Sequence, residues 1–200
     1  MVGVILASSE LKQESKRGRP RDPRVRAAIL QATLEAITNR CERLSIESVA
    51  AGAGVSKKTV YHWWDSRGTL LLDALAEYAK SHVSASPTRV SENPLESLVK
   101  RTVKSFGGTI GEVLRGLVVE AQINEGFRSQ LRERLIDMRR AEMQAILFSQ
   151  YPGASVSSEI LLDKAYGAIW YRLLVSFGPL DETFARELFK SLDEELREDA

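Results

Sequence analysis

The chain has 200 residues, enough for one large domain or two small ones with a true core. Its 28 Lys/Arg and 27 Asp/Glu balance overall but not locally: residues 1–67 carry 12 cations against 7 anions, and the remainder 16 against 20. A basic front on an acidic back points to a polyanion met by the front alone, and the single cysteine, Cys41, excludes an internal disulfide and fits a reducing cytoplasm.

Nothing beside Cys41 would lower its pKa, so it reads as a small, partly buried apolar residue near a helix end rather than as a redox-sensing thiol. Val2 to Ala7 is too short for a signal-peptide core and no apolar run is long enough to span a membrane, so a cytoplasmic protein with no membrane partner is expected.

Residues 1–21 read as a flexible basic arm. Within it Lys16-Arg17-Gly18-Arg19-Pro20-Arg21 places cations around a Gly and a Pro that oppose helix formation. Taken alone this is a solubilising tail. In front of a DNA-binding unit it becomes a slim cationic strand suited to a narrow minor groove, with Arg17 and Arg19 as the contacts.

Asp22-Pro23 marks a helix start, and Val25, Ile29, Ala32, Ala36 and Ile37 recur at helical spacing to about residue 40. Arg24 and Arg26 fall in the first turn, against the helix dipole, where a phosphate would favour them. Ser45 caps a short helix from Ile46 to Ala53 with Glu47 in its first turn. Gly54 supplies the left-handed residue that ends it, Val55 plugs the corner, and Ser56 caps a second helix from Lys57 to Trp63.

This is a helix-turn-helix. Its first helix turns Val49 and Ala53 inward and keeps Ala50 small at the crossing. Its second returns Val60 and one of Trp63 or Trp64 to the core. Lys57, Lys58, Thr59, Tyr61 and His62 remain outside, all hydrogen-bond donors on a helix that fits a major groove. Ser45, Ser56, Thr59, Tyr61 and Arg67 suit phosphates, and Lys57, Lys58 and His62 suit base edges. Asp65-Ser66 then restart a helix carrying Leu70, Leu71, Leu75 and Tyr78 to about Val83, whose N-terminus, with Arg67, suits a phosphate.

From Arg24 to about Tyr78 this stretch resembles the DNA-binding domain of the tetracycline-repressor (TetR) family of bacterial regulators. Leu44-Ser45-Ile46, Val49-Ala50, Ala53-Gly54-Val55-Ser56, Thr59-Val60-Tyr61, Trp64, Ser66-Arg67 and Leu70-Leu71 carry the resemblance. Trp64 stands where the family usually has Phe, and Arg67 where it has Lys; both keep the chemistry. Lys58 occupies a position that is often small, so no base preference is carried over.

Ser84 to Asn93 is a polar break, dividing a DNA-binding domain with its connecting helix (22–83) from a helical domain (84–200). Asn93-Pro94-Leu95-Glu96 opens the latter, and helices are expected over 94–106, 109–123, 126–150, 156–177 and 181–197, separated by Gly107-Gly108, Gly126, Pro152-Gly153 and Gly178-Pro179. The fold class is therefore all-α, about nine helices. Tyr166-Gly167-Ala168, Tyr171-Arg172-Leu173-Leu174 and Gly178-Pro179-Leu180-Asp181 are also similar to the C-terminal region of one TetR subgroup.

The last two helices carry more apolar surface than one face needs. Leu162, Tyr166, Ile169 and Leu173 on one, with Phe184, Leu188 and Leu192 on the other, suit a two-fold four-helix interface, although part of them must be intramolecular core. A homodimer also follows from recognition, since one short helix reads only a few base pairs and a pseudo-palindrome needs two.

The family resemblance implies a small-molecule pocket between the two domains, whose occupation shifts the connecting helix and separates the reading heads. Tyr78, Phe106, Val113, Leu114, Leu117, Phe127, Met138 and Trp170 are its candidate walls, although each taken alone reads as a core residue before a ligand wall. Gln122 and Asn124 are polar anchors or exposed caps. With no cluster of acids in this region, an apolar or amphipathic effector is expected.

No enzyme can be assembled. The histidines, His62 and His82, have no metal-ligand spacing with Cys41, so neither metal nor cofactor is expected. Gly52 to Thr59 imitates a phosphate-binding loop, but Lys57 stands where that loop needs Gly and a helix precedes it instead of a strand. A DNA-binding regulator, a repressor released by a small molecule, is the reading; the alternative is an all-helical interaction module with a structural helix-turn-helix.

Overall fold

A computed structural model describes residues 22–39, 44–84, 93–153 and 158–198. Arg17, Arg19 and the rest of the arm, Cys41, and residues 85–92 of the expected break lie outside the described residues. Among the described residues every element is helical: α1 Pro23–Thr38, α2 Ile46–Gly52, α3 Lys57–Trp63, α4 Arg67–Tyr78, α5 Pro94–Phe106, α6 Thr109–Ile123, α7 Glu125–Leu131, α8 Asp137–Gln150, α9 Ser158–Val175 and α10 Glu182–Glu198. The π-helical stretch Ala79–Val83 prolongs α4, and a second, Arg132–Ile136, joins α7 to α8 as one long rod.

Short polar side chains open most of these helices by satisfying N–H groups that have no partner in the first turn. Asp22 accepts from the Arg24 N–H at 2.9 Å, and Asn93 from those of Leu95 and Glu96 at 2.9 and 3.2 Å. Ser45 with Ser48, and Ser66 with Thr69, form reciprocal capping boxes at the starts of α2 and α4. Asn124 accepts from the Phe127 N–H at 3.0 Å, which makes it the cap of α7 and not a ligand anchor.

Between α2 and α3 the chain turns through Gly54 at φ 66°. The Val55 N–H donates to the Ala50 carbonyl at 2.9 Å and the Gly54 N–H to that of Ala51 at 3.1 Å, a Schellman arrangement. A Cβ at Gly54 would meet nothing within 4 Å, so only the backbone penalty opposes a side chain. Gly54→Ala is therefore expected to cost about 1–2 kcal/mol, read as a lowered denaturation midpoint with unchanged slope.

The helix α4 joins three cores. Its Leu70 and Ala74 pack with Ile29, Val49, Val60 and Trp64 of the N-terminal unit. On another face of the same turns, Leu71, Leu72 and Leu75 pack with Ile110, Leu114 and Leu135 behind it. At its end Val83 enters the third core, where Leu98 of α5, Met143 of α8, Leu162 and Ile169 of α9, and Leu196 of α10 meet. A single helix that buries side chains in successive cores resists bending without disturbing each of them.

The seven residues expected at a dimer interface sit inside the subunit. Leu162, Tyr166, Ile169, Phe184 and Leu192 are buried in one core with Leu188 half-buried against it, and Leu173 is buried in the core behind α4. The exposed face of α10 is polar, laced by Lys190–Glu194 and Arg197–Asp193 pairs. On α9 it is Ile160, Gly167, Tyr171 and Leu174 that face outward, with Tyr171 53% and Leu174 43% exposed. Apolar residues lie on both its inner and its outer stripe, with the charged Glu159, Asp163 and Lys164 near its start, so the two stripes look alike in the sequence from Tyr166 onward.

Candidate nucleic-acid interface and internal cavity

On α3, Val60 is buried and Trp64, just beyond the helix, is 4% exposed, which settles the aromatic plug as Trp64; Trp63 is half-buried. Lys57, Lys58, Tyr61 and His62 are exposed and Thr59 half-buried. Ser56 accepts from the Thr59 N–H at 3.1 Å and its hydroxyl lies 2.8 Å from that of Thr59. Ser45 is likewise engaged in its capping box, and Arg67 is exposed in the first turn of α4.

Lys57 does not point freely to solvent. Its ammonium donates to the Glu47 carboxylate on α2, a pairing that holds the Glu47 carboxyl below, and the Lys57 ammonium above, their ordinary ranges. Arg26 also departs from expectation: its guanidinium pairs with Asp73 of α4 at 2.7 Å, which explains its position without a phosphate.

That carboxylate is a junction the sequence reading passed over. Asp73 accepts from Arg26 of α1, from the Trp64 indole N–H at 3.0 Å, and from Arg134 of the second π-helical stretch at 3.0 Å. Arg26 lies over the Trp64 ring as well, 5.6 Å from its centroid. A lone acid within the apolar run Leu70 to Ala76 was the available signal.

Behind α4 lies a cavity of about 390 Å³, within the usual range for small-molecule sites. Leu75 and Tyr78 of α4 wall it on one side, with Ala79 and Val83 of the first π-helical stretch. Leu135 and Ile136 of the second stretch stand in the wall too, so both irregular turns border one space. Phe106 and Trp170 meet edge to face there, ring centroids 5.2 Å apart. Thr102, Ser105, Arg139, Arg140, Asp163 and Tyr166 supply the polar part of the lining.

Of the expected walls, Tyr78, Phe106, Leu114 and Trp170 line this cavity. Val113 and Leu117 instead line a separate cleft between α6, α1 and the start of α4, because Ile110 and Leu114 occupy the cavity face of α6 and their neighbours are rotated off it. Phe127 is buried in the core behind α4 and Met138 packs against that core, and neither reaches the cavity. Gln122 is exposed.

Tyr166 belongs to this lining, not to a subunit interface. Its hydroxyl donates to the Arg139 carbonyl at 2.9 Å, and burial pushes its pKa up to about 12. Arg140 pairs with Asp163 at 2.7 Å and Glu159 at 2.6 Å, and its hydrogen bond to the Asp163 carboxylate leads in raising its pKa further.

An all-helical chain with a capped helix-turn-helix at one end and a mainly apolar cavity behind α4 has the architecture of a ligand-responsive DNA-binding protein. Comparison with known proteins agrees. Residues 87–192 match the family model described as Tetracyclin repressor-like, C-terminal domain. The chain is 26% identical to the HTH-type transcriptional regulator YdeS of Bacillus subtilis (strain 168), over 88% of this chain and 91% of that one. It is 28% identical to the HTH-type transcriptional regulator Rv1556 of Mycobacterium tuberculosis (strain ATCC 25618 / H37Rv), over 90% and 89%. Among solved structures, the TetR family transcription regulator SCO0332 superposes with a TM-score of 0.73 at 27% identity, over 86% of this chain and 97% of that one. The chain belongs to the tetracycline-repressor family and is a DNA-binding transcriptional regulator. No helix among the described residues is long and apolar enough to cross a membrane.

Proposed function

We propose that the protein is a homodimeric repressor that holds a pseudo-palindromic operator and leaves it when an apolar or amphipathic molecule enters the cavity behind α4. One observation carries this reading: α4 begins at exposed Arg67, directly after the helix-turn-helix, and ends in the cavity wall. A ligand that prefers one tilt of α4 biases the reading head by that difference in affinity.

In this reading Lys58 and His62 reach base edges, joined by Lys57 once it exchanges Glu47 for DNA. Ser45, Ser56, Thr59, Tyr61 and Arg67 fix the phosphates, and Arg17 and Arg19 lie in the flanking minor groove. The outer stripe of α9, Ile160, Gly167, Tyr171 and Leu174, packs on its two-fold mate, the glycine allowing close approach.

Selection of duplexes from a random pool, then titration of the winner against a scrambled control at near-physiological salt, tests the whole scheme. A pseudo-palindromic winner bound about 10³-fold or more tightly is the expected result. Equal affinity for both duplexes would leave only an interaction module. Within the selected site, Lys58→Ala is expected to relax base preference, with about 1–3 kcal/mol lost at one position. Arg67→Ala should weaken specific and scrambled DNA alike and lower the salt slope by about one unit, as counted by titration at several salt concentrations.

A further inference from the structure

Most of the cavity's polar groups are already spoken for. Thr102 donates to the Leu98 carbonyl at 2.8 Å and Ser105 to that of Arg101 at 2.9 Å. Asp163 is occupied by Arg140. Arg139 is the exception. The residue is 9% exposed, its Nη1 donates to Glu142 and, at 3.4 Å, to the Ser84 hydroxyl, and its Nη2 is buried with no hydrogen-bond partner among the described residues. An arginine nitrogen is a donor only, and leaving it buried and unpaired is costly.

From this geometry we infer that the effector is an apolar molecule ended by an acceptor oxygen, a carboxylate or a carbonyl, which receives Arg139 Nη2 while its apolar body lies among Leu75, Phe106, Ile110, Leu114 and Trp170. The inference rests on the reading of this cavity as the effector site and narrows its ligand. A cationic ligand is disfavoured because Glu142 and Asp163 already serve Arg139 and Arg140, and a cation would have to displace one of them. An acceptor oxygen breaks neither ion pair and needs only a small shift of the Arg139 head to meet Nη2. It supplies the missing partner to a buried donor, where a hydrogen bond to a charged group is strongest.

The test is a matched series on one alkyl chain: octanoate, methyl octanoate and octylamine, titrated into the full-length protein by calorimetry. The acceptor-ended probes are expected to bind at least about tenfold more tightly than the amine. Octanoate ahead of the ester would assign a carboxylate, and parity between them a neutral carbonyl. In Arg139→Met, which keeps an unbranched apolar stem and removes the donors, the preference over the amine should vanish while circular dichroism and operator binding persist. Glu142→Gln is the second variant: by removing the competing carboxylate, it should strengthen octanoate relative to the ester by several-fold.

Three results would overturn the inference: the amine binding as well as the others, the preference surviving in Arg139→Met, or no probe binding up to about 1 mM. If Arg139→Met does not fold, an unchanged octanoate-to-ester ratio in Glu142→Gln overturns it. Any of these beside a selected pseudo-palindromic operator would sink the ligand assignment and leave the regulator standing, whereas failure of the DNA selection would strike the reading beneath it.

Discussion

Trp64→Ala should unfold the DNA-reading unit before any other single change described here. The indole is buried between α1, α3 and α4, and truncating such a ring typically costs about 3–5 kcal/mol. The loss reaches further than a cavity. Asp73 would lose one donor, and Arg26 the ring face over which it sits. The expected result is a lowered unfolding midpoint together with loss of operator binding. Trp64→Phe separates the two contributions: it keeps most of the packing and drops the N–H, for a cost nearer about 1 kcal/mol. Equal midpoints for Trp64→Ala and wild type would show that the plug contributes little.

Leu174→Glu is expected to have the second large effect, on assembly and not on folding. The residue lies on the outer stripe of α9, so the isolated subunit should keep its stability to within about 0.5 kcal/mol. In a two-fold interface each substitution places a carboxylate beside its symmetry mate, and the charge appears twice. Sedimentation should then show monomers, and operator affinity should fall by about 10³-fold towards the non-specific level, because one head reads only half of the site. A Leu174→Glu protein that still sediments as a dimer would place the interface elsewhere.

The helix boundaries were legible because their chemistry is local. Ser45, Ser56, Ser66 and Asn93 act on N–H groups two or three residues away, and Gly54 acts on its own φ. Orientation was not legible where it depends on neighbours distant in sequence. Tyr166 and Leu173 look no different from Tyr171 and Leu174 along α9, yet the first pair is buried and the second exposed. One residue of offset on α6 is a rotation of about 100°, which is enough to turn Val113 from the cavity that Leu114 faces. Arg139 was hidden for another reason. In the run Asp137 to Glu142 it reads as one more solvated charge, and only the packing of α8 against α9 shows that it is the buried member.

The Lys57–Glu47 pair bears on how quickly the protein searches a genome. Non-specific affinity grows with every phosphate that a cation neutralises, and a tightly held random site is time lost. If Lys57 contacts DNA as proposed, its pairing with Glu47 leaves the α3 face one fewer available charge on arbitrary DNA, and dwell times on wrong sequences are then expected to shorten. Only a site whose base edges or phosphates outcompete the carboxylate recovers that contact. On the proposed DNA-binding face, a negative residue that at first sight opposes binding would thus widen the ratio between right and wrong sites and hasten the transit between them.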